Sequence, residues 1–238
     1  MLPDAIRAVT FDVGRTLLHP TPSVGDVYAA VSHRNGLRLD PADAERRFLE
    51  AWRQVQESHH GLVYGTDEPQ ARFFWRKVVR EVCRHLTPTD AQVEALLGEL
   101  YDRFSRADHW RIDEAWPAVL AACRRRGLKV ALLSNWDVRL RPLLADIGLL
   151  DVVDAVVISA EVALEKPNPA IFRLALERLG ATPAETVHVG NTWQDDIVGA
   201  RAAGLTAVWL ADAPRPDFDD AIPHLRIPQL GALVPLLE

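Results

Sequence analysis

Apolar positions divide the chain into one short apolar run, a long helical stretch and a region of alternating patterns. Residues 6–11 (IRAVTF) are rich in β-formers and predict a buried strand that ends at Asp12. From Ser23 to Arg106 the apolar spacing is helical throughout. It predicts four helices, over residues 24–36 with a stop at Gly36, from Asp40-Pro41 to residue 58, and roughly over 69–85 and 89–105.

After Glu114, helical patterns alternate with continuous apolar runs. Helices are predicted over 114–126, 139–147, 168–179 and 195–203, and strands over 128–134, 154–159, 186–190 and 206–210. This alternation is typical of right-handed βαβ units, and unbroken apolar runs indicate parallel strands buried on both faces. We therefore expect an α/β core formed by residues 1–19 and 107–238, with residues 20–106 inserted as a four-helix domain. The proline-rich tail after Ala211 is expected to close the core edge as a loop and a short helix.

Charge and composition narrow the function only slightly. The net charge is −6, which argues against a surface that coats nucleic acid, and 48% hydrophobic with 25% charged residues is ordinary for a soluble domain. No apolar run approaches 18 residues and no leader pattern is visible at the start of the chain. The two cysteines, Cys83 and Cys123, predict buried thiols in a reducing compartment. We expect a cytoplasmic protein without a membrane partner.

Polar residues follow the predicted core strands where a ligand site is expected. Asp12 follows the first strand, Ser134-Asn135 the second, and Gly190-Asn191-Thr192 a later one. Lys166 lies in a loop, and Asp195-Asp196 opens the predicted helix after Asn191. Because open α/β sheets bind ligands beyond the carboxyl ends of their strands, these groups are expected to converge. Together they suit a nucleophilic carboxylate, a bound anion and a hard divalent cation with oxygen ligands.

The order of these segments resembles the four motifs of the haloacid dehalogenase (HAD) superfamily. The matching stretches are Asp12-Val-Gly-Arg-Thr-Leu, Ser134-Asn135, Lys166-Pro-Asn-Pro-Ala-Ile-Phe and Val-Gly-Asn191-Thr-Trp-Gln-Asp195-Asp196. The resemblance covers nearly the whole chain. It implies a Rossmann-like, HAD-like core, with residues 20–106 similar to the helical cap that the first subfamily carries between its first two motifs.

The resemblance also implies a nucleophile and a metal site. Asp12 would attack phosphorus and form an aspartyl-phosphate. The second oxygen of Asp12, the main-chain carbonyl of Gly14 and the carboxylate of Asp196 resemble the magnesium ligands, and Asn191 stands at a further ligand position. Because adjacent helix positions point about 100° apart, only one of Asp195 and Asp196 is expected to face the ion.

The remaining site residues would bind a small phosphorylated substrate. The Ser134 hydroxyl and the Asn135 amide resemble groups that hold phosphoryl oxygens, and Ser134 is counted with the catalytic residues. Lys166 would offset the charge of Asp12 and of the phosphate, and Arg15 is a further expected substrate contact. Lysine is rare in this chain, at three residues against 24 arginines, so a lysine at this position is notable.

Two departures from the phosphatase pattern concern the reaction. Phosphatases of the superfamily carry an acid two positions after the nucleophile, and this chain has Gly14 there. Loss of a general acid typically costs about 10²- to 10⁴-fold in rate, so slow turnover, or turnover limited to good leaving groups, is expected. Asn191 stands where phosphatases usually have Asp, which removes a negative charge and predicts weaker Mg²⁺ binding.

Two alternatives follow from these departures. Superfamily dehalogenases also lack the acid and use no metal, and Arg15, Asn135, Trp136 or Trp193 would line a halide site in that case. The dehalogenases, however, usually have an aromatic residue in place of Gly14. A catalytically weak relative that binds a phosphorylated ligand or a partner protein is the second alternative. The leading hypothesis is a Mg²⁺-dependent phosphatase; the sequence indicates neither its substrate nor its oligomeric state.

Overall fold

A computed structural model describes residues 5–58, 63–212 and 225–238, and the chain splits into two compact units. The first unit comprises residues 1–19, 112–135 and 148–238, and the second comprises 20–111 and 136–147. The strands are β1 (Ala8–Phe11), β2 (Leu18–Pro20), β3 (Trp110–Ile112), β4 (Lys129–Ser134), β5 (Ala155–Ile158), β6 (Thr186–Gly190), β7 (Thr206–Leu210) and β8 (Leu225–Ile227). The α-helices are α1 (Val24–Arg34), α2 (Pro41–Ser58), α3 (Glu68–Cys83), α4 (Asp90–Arg103), α5 (Trp116–Arg125), α6 (Leu140–Ile147), α7 (Ser159–Val162), α8 (Pro169–Leu179), α9 (Gly199–Ala202) and α10 (Val234–Leu237).

A parallel sheet forms the centre of the first unit. Among the described residues its strand order is β5-β4-β1-β6-β7-β8, and each neighbouring pair is parallel. The central strands are buried along their whole length, which explains their unbroken apolar runs. The α/β fold with a parallel-sheet core is therefore confirmed.

Helices and aromatic contacts cover this sheet. Phe11 of β1 meets Trp116 of α5 edge to face, with ring centroids 5.2 Å apart. A second cluster joins the sheet to α8 and α9, and includes Phe172, Trp193 and Trp209. Aromatic side chains of this size contribute much of the burial energy of a core.

The second unit is helical and has its own apolar core. Helices α1 to α4 bury a continuous cluster that includes Tyr28, Phe74 and Leu96. Their starts are capped as the sequence predicts: the Asp40 carboxylate accepts the N–H groups of residues 42 and 43, and Thr89 forms a capping box with Gln92. The four helices predicted between Ser23 and Arg106 are present, and the third ends at Cys83 in a short 3-10 turn instead of continuing to His85.

Helix α6 belongs to the second unit, because the segment that leads into it forms a buried ion pair with contacts to that unit. Asp137 and Arg139 are paired at 2.6 Å, and the indole N–H of Trp75 donates to Asp137 at 2.7 Å. The Arg139 guanidinium also lies 3.9 Å from the centre of the Tyr101 ring. The assignment of residues 1–19 and 107–238 to a catalytic core and of 20–106 to a cap stays a prediction.

Two sequence predictions about the end of the first unit need correction. The tail contains a strand, β8, that pairs in parallel with β7, where only a loop and a short helix were expected. Three residues of extended chain carry too little apolar signal to be read as a strand. The prolines at 214, 216 and 223 lie outside the described residues. The helix predicted over 195–203 begins two residues earlier, as a π-helical turn over Trp193–Val198 that continues into α9.

No helix in the described part of the chain has the length and apolar character needed to span a membrane.

Candidate active site

Three adjacent strands of the first unit end beside one another. Asp12 directly follows β1, and its N–H donates to the carbonyl of Val189 near the end of β6 at 2.9 Å. Strand β4, on the other side of β1, ends at the buried Ser134. The sheet register therefore brings Asp12, Ser134 and Gly190 to one edge, as the sequence predicted for the carboxyl ends of parallel strands.

Lys166 is held between two carboxylates at this edge. Its Nζ donates to Oδ1 of Asp12 at 2.7 Å and to Oδ1 of Asp196 at 2.6 Å. The exposed fraction of the Lys166 side chain is 2%, and those of Asp12 and Asp196 are 10% and 1%. Charge-assisted hydrogen bonds of this length in a dry environment are strong, so the ammonium position is closely defined.

The charges of the three groups are set by burial and by one another. Burial alone lowers the pKa of Lys166, but Asp12 and Asp196 overcome it and raise that pKa above its usual range. Burial raises the pKa of Asp12 against the lowering influence of Lys166. Burial also acts to raise the pKa of Asp196, but Lys166 and His188 hold it well below its usual range. Of the two carboxylates that share the lysine, Asp196 therefore keeps its negative charge more firmly.

Asn135 fixes the main chain that carries this lysine. Its side-chain amide donates to the carbonyl of Lys166 at 2.8 Å, and its amide oxygen accepts the N–H of Lys166 at the same distance. The amide is thus engaged with protein atoms, so in this arrangement Asn135 acts on the lysine loop. Its predicted contact with phosphoryl oxygen stays a prediction, as does that of the buried Ser134.

Thr16 joins Asp12 to Asn191. Its hydroxyl lies 3.1 Å from Oδ2 of Asp12 and 3.3 Å from Oδ1 of Asn191, so both oxygens face the same point. Sequence reasoning did not single out Thr16, although its position four residues after Asp12 in the same tight loop was visible. The side chain is completely buried and belongs to the site.

Asp196 is turned into the protein by the π-helical turn. Its Oδ2 accepts the N–H of Thr192 at 2.8 Å, while its Oδ1 accepts Lys166 and, at 3.1 Å, the Nε2 of His188. Gly190 permits this approach, because a Cβ there would lie 2.2 Å from Cγ of Asp196. The adjacent Asp195 is half-buried and lies near enough to the site to feel the charges of Lys166, Asp196 and Asp12. Burial raises its pKa to about 7, helped by the neighbouring carboxylates and opposed by Lys166.

His188 is a second residue that sequence reasoning missed. It lies in the middle of β6, fully buried, with Nδ1 at 2.8 Å from the hydroxyl of Thr10 on β1. The one hint in the sequence was a histidine within an otherwise apolar strand, TVHVG.

Arg15 adopts a left-handed backbone conformation, with φ at 61°. For a residue with a side chain this conformation typically costs about 1 kcal/mol, and such outliers concentrate at functional sites. Arg15 lies in the tight loop between Asp12 and Thr16, and its N–H donates to the carbonyl of Leu18 at 2.8 Å. Its proposed substrate contact remains a prediction.

The oxygen atoms of this site suit a hard cation, although they do not include three acidic side chains grouped around one point. In the part of the chain that the structure describes, no group of three or more His, Cys, Asp or Glu side chains is arranged to hold a metal ion. The oxygens of Asp12 and Asn191 that face Thr16, with the main-chain carbonyl of Gly14 nearby in sequence, are all-oxygen donors of the kind Mg²⁺ prefers. Both oxygens of Asp196 are already engaged by Lys166, His188 and Thr192.

Comparison with known proteins places the chain in a family. The family model "haloacid dehalogenase-like hydrolase" matches residues 6–204. Haloacid dehalogenase-like hydrolase domain-containing protein 3 of Mus musculus is 34% identical over 238 residues, covering 98% of this chain and 94% of that protein. A phosphoserine phosphatase of Thermus thermophilus is 45% identical over 114 residues, which are 48% of this chain and 46% of that enzyme.

A solved structure agrees with this result. The crystal structure of a HAD phosphatase from Thermococcus onnurineus is similar over 98% of both chains, at 25% identity and a TM-score of 0.64. The similarity therefore extends over nearly the whole chain and is not confined to the segments around Asp12, Ser134, Lys166 and Asp196. The protein belongs to the haloacid dehalogenase-like hydrolases.

Proposed function

We propose that this hydrolase is a phosphatase that transfers the phosphoryl group of a small metabolite to Asp12. The observation that carries the proposal is the buried Lys166 ammonium, which donates to Asp12 and Asp196 at 2.7 and 2.6 Å. Phosphoryl transfer needs positioned positive charge more than covalent assistance, and this group supplies it beside the proposed nucleophile.

The reaction proceeds in two displacements. An oxygen of Asp12 attacks phosphorus, the bond between phosphorus and the leaving oxygen breaks, and an aspartyl-phosphate remains. Water then attacks phosphorus, inorganic phosphate departs and the Asp12 carboxylate is restored. Lys166 offsets the charge of Asp12 and of the phosphoryl oxygens, while Ser134, Asn135 and Arg15 are proposed to contact the phosphoryl group or the rest of the substrate.

A bound Mg²⁺ is part of the proposal. Asp12, the main-chain carbonyl of Gly14 and Asn191 would hold it through oxygen. Asp196 is the further proposed ligand through Oδ2, which accepts the N–H of Thr192 and, as a carboxylate oxygen, has a second lone pair. When bound, it would stabilise negative charge on the phosphoryl oxygens. The replacement of a usual carboxylate by Asn191 supports weak binding, because one negative charge fewer faces the cation.

The absence of an acid at position 14 points to substrates with good leaving groups. The leaving oxygen must take its proton from water, which favours acyl and aryl phosphates over alkyl phosphates. The similarity to a phosphoserine phosphatase, across 48% of the chain, supports testing phosphoserine as well, an alkyl phosphate that should turn over more slowly than acyl and aryl phosphates. A small phosphorylated metabolite is the proposed substrate class. A cytoplasmic location, supported by two buried unpaired cysteines, belongs to the same proposal.

The halide-site alternative has less support. Trp193 is 8% exposed and packs on Trp209 with ring centroids 4.9 Å apart, and Trp136 packs on Trp110 within the second unit. Both indoles are thus engaged with other aromatic rings.

Trapping the covalent intermediate tests the proposal. The protein is mixed with acetyl phosphate and Mg²⁺, quenched in acid and digested for mass spectrometry. We expect a phosphate adduct on the peptide that contains Asp12, and none in the Asp12→Asn variant. A native protein that hydrolyses acetyl phosphate and carries the adduct at another residue would overturn the assignment. A protein that neither reacts nor turns over would favour the binding role.

A further inference from the structure

His188 is a buried polar residue that the proposed reaction does not use. It occupies the centre of β6 at zero exposure, and its register partner on β1 is Thr10, also at zero exposure. Register partners on neighbouring parallel strands project to the same face of the sheet, so both side chains are fixed by backbone pairing. A buried polar pair of this kind needs defined hydrogen bonds.

The hydrogen bonds define where the imidazole carries its proton. Oδ1 of Asp196, a carboxylate oxygen that accepts only, lies 3.1 Å from Nε2, so Nε2 carries the proton. On the other side, Nδ1 lies 2.8 Å from the hydroxyl of Thr10, whose alternative acceptor, the carbonyl of Val187, is 3.4 Å away. The hydroxyl therefore donates to Nδ1 and keeps the ring in the tautomer that donates to Asp196.

These bonds continue without a break to the proposed nucleophile. Thr10 donates to His188, His188 donates to Oδ1 of Asp196, and Lys166 donates to that same oxygen and to Asp12. One carboxylate oxygen thus receives both the imidazole and the ammonium. Its position determines where Lys166 stands.

Asp196 needs this support because of where it lies. It belongs to the short π-helical turn after β6, whereas His188 and Thr10 lie in the middle of the sheet. The ring of Phe172 meets His188 edge-on, with centroids 5.1 Å apart, and contributes packing but no hydrogen bond to the imidazole. The lysine side chain is long and rotatable, so a fixed acceptor is what holds its ammonium in place.

We propose that His188, oriented by Thr10, is a positioning residue that fixes Asp196 and through it holds the Lys166 ammonium on Asp12. The effect of His188 on catalysis rests on the proposed function, whereas its effect on the position of the Lys166 ammonium does not. Hydrogen bonds that begin on β1 and β6 therefore extend to the proposed nucleophile through Oδ1 of Asp196.

The scarcity of lysine makes this geometry directly measurable. The chain has three lysines, and the other two, Lys77 and Lys129, are exposed. Protein labelled with ¹⁵N only in lysine gives side-chain signals that are assigned by Lys77→Arg and Lys129→Arg. Because Lys166 is buried and hydrogen-bonded to two carboxylates, we expect its ammonium protons to exchange slowly with water and give a distinct signal.

Four variants separate positioning from packing. His188→Leu removes both hydrogen bonds of the ring, and His188→Gln restores a donor toward Asp196. Thr10→Val removes only the hydroxyl and keeps the shape. Phe172→Leu is the control, because it loosens the packing on the ring and leaves its hydrogen bonds in place. Unfolding is followed for each by circular dichroism.

We expect His188→Leu to shift or broaden the Lys166 signal, Thr10→Val to do so less, and His188→Gln and Phe172→Leu to leave it nearly unchanged. With acetyl phosphate as substrate, kcat falls by about 10- to 100-fold in His188→Leu, in the range typical for residues that orient a functional group, and KM changes little. Recovery of kcat in His188→Gln supports positioning.

An unchanged Lys166 signal in folded His188→Leu overturns the proposal. If that variant does not fold, an unchanged signal in Thr10→Val overturns it instead. Equal losses in Phe172→Leu and His188→Leu also overturn it, because packing alone would then account for the effect. If the signals change as expected while the native protein hydrolyses no phosphate, the positioning stands and the proposed function fails.

Discussion

The ammonium nitrogen of Lys166 lies 2.7 Å from a carboxylate oxygen of Asp12, and both side chains are at least nine-tenths buried. A second carboxylate, Asp196, accepts the same ammonium at 2.6 Å. One cation is thus hydrogen-bonded to two carboxylates in a site where an unpaired charge would be costly. A substrate phosphate would bring further negative charge to this arrangement, and the lysine is the positive group closest to the proposed nucleophile.

Lys166→Arg is expected to abolish most of the activity. A guanidinium is planar and wider than an ammonium, so its charge cannot lie within 2.7 Å of both carboxylates in the same enclosed space. We expect kcat for acetyl phosphate to fall at least about 100-fold, as when one electrostatic donor is removed from an active site. Lys129→Arg, at an exposed lysine, is the control and should retain full activity.

Asp12→Asn is expected to remove all turnover and leave the fold intact. An amide oxygen does not form the acyl-phosphate, but it can still accept the hydrogen bond from Lys166. Steady-state hydrolysis measures the loss of turnover, and circular dichroism checks that the fold is intact. Asp154→Asn changes a carboxylate that pairs with Arg124 and Lys129 in the same unit, and it should leave turnover unchanged. Activity retained in Asp12→Asn would show that another group is the nucleophile.

Gly14→Asp is expected to raise phosphatase turnover. It restores an acid two residues after Asp12, which can protonate the leaving oxygen, and a general acid is typically worth about 10²- to 10⁴-fold. The gain should be larger for phosphoserine than for acetyl phosphate, because the alkoxide is the poorer leaving group. No gain with either substrate would mean that the surrounding groups are not arranged for phosphate monoesters.

Residues that end strands or carry a family motif could be predicted from the sequence. Asp12, Ser134 and Asn191 were placed at one sheet edge because parallel strands end on the same side. Lys166 was expected beside Asp12 from its motif alone, and the structure brings the two together. Glycine and proline marked most helix ends, since few other residues suit those backbone conformations.

The missed residues depend on tertiary contacts that leave no local pattern. His188 interrupts a hydrophobic strand, and only the pairing of β1 with β6 shows that Thr10 is its partner. The contact of Asn135 with phosphate stays a prediction, and the contact that its sequence did not reveal is with the main chain of Lys166, 31 residues away, which both ends of its amide bind. Strand β8 is three residues long and depends on β7 for its hydrogen bonds, so its sequence alone did not reveal it.

Both cysteines are expected to be unreactive in the folded protein. Burial raises the pKa of Cys123 to about 11 and raises that of Cys83 as well, so neither thiol ionises at pH 8. A disulfide reagent at that pH should find no thiol before unfolding and two afterwards. Because the folded pKa of Cys123 is the higher one, its stability contribution is complete below about pH 9 and is lost as pH rises towards 11.

A urea denaturation series checks this pH dependence. The free energy of unfolding of the native protein should decline between pH 8 and pH 10.5, and Cys123→Ala should show a shallower decline across the same range. Fast labelling of either cysteine in the folded state would contradict the burial on which this expectation depends.

In the proposed reaction Asp12 attacks phosphorus with the help of Lys166 and a bound cation. Phosphate release from acetyl and aryl phosphates, followed with Mg²⁺ and with a chelator beside halide release from 2-haloacids, distinguishes this reaction from attack on carbon. We predict phosphate release that depends on Mg²⁺ and no halide release. Halide release that is independent of metal, with no hydrolysis of either phosphate, would show that Asp12 attacks carbon instead.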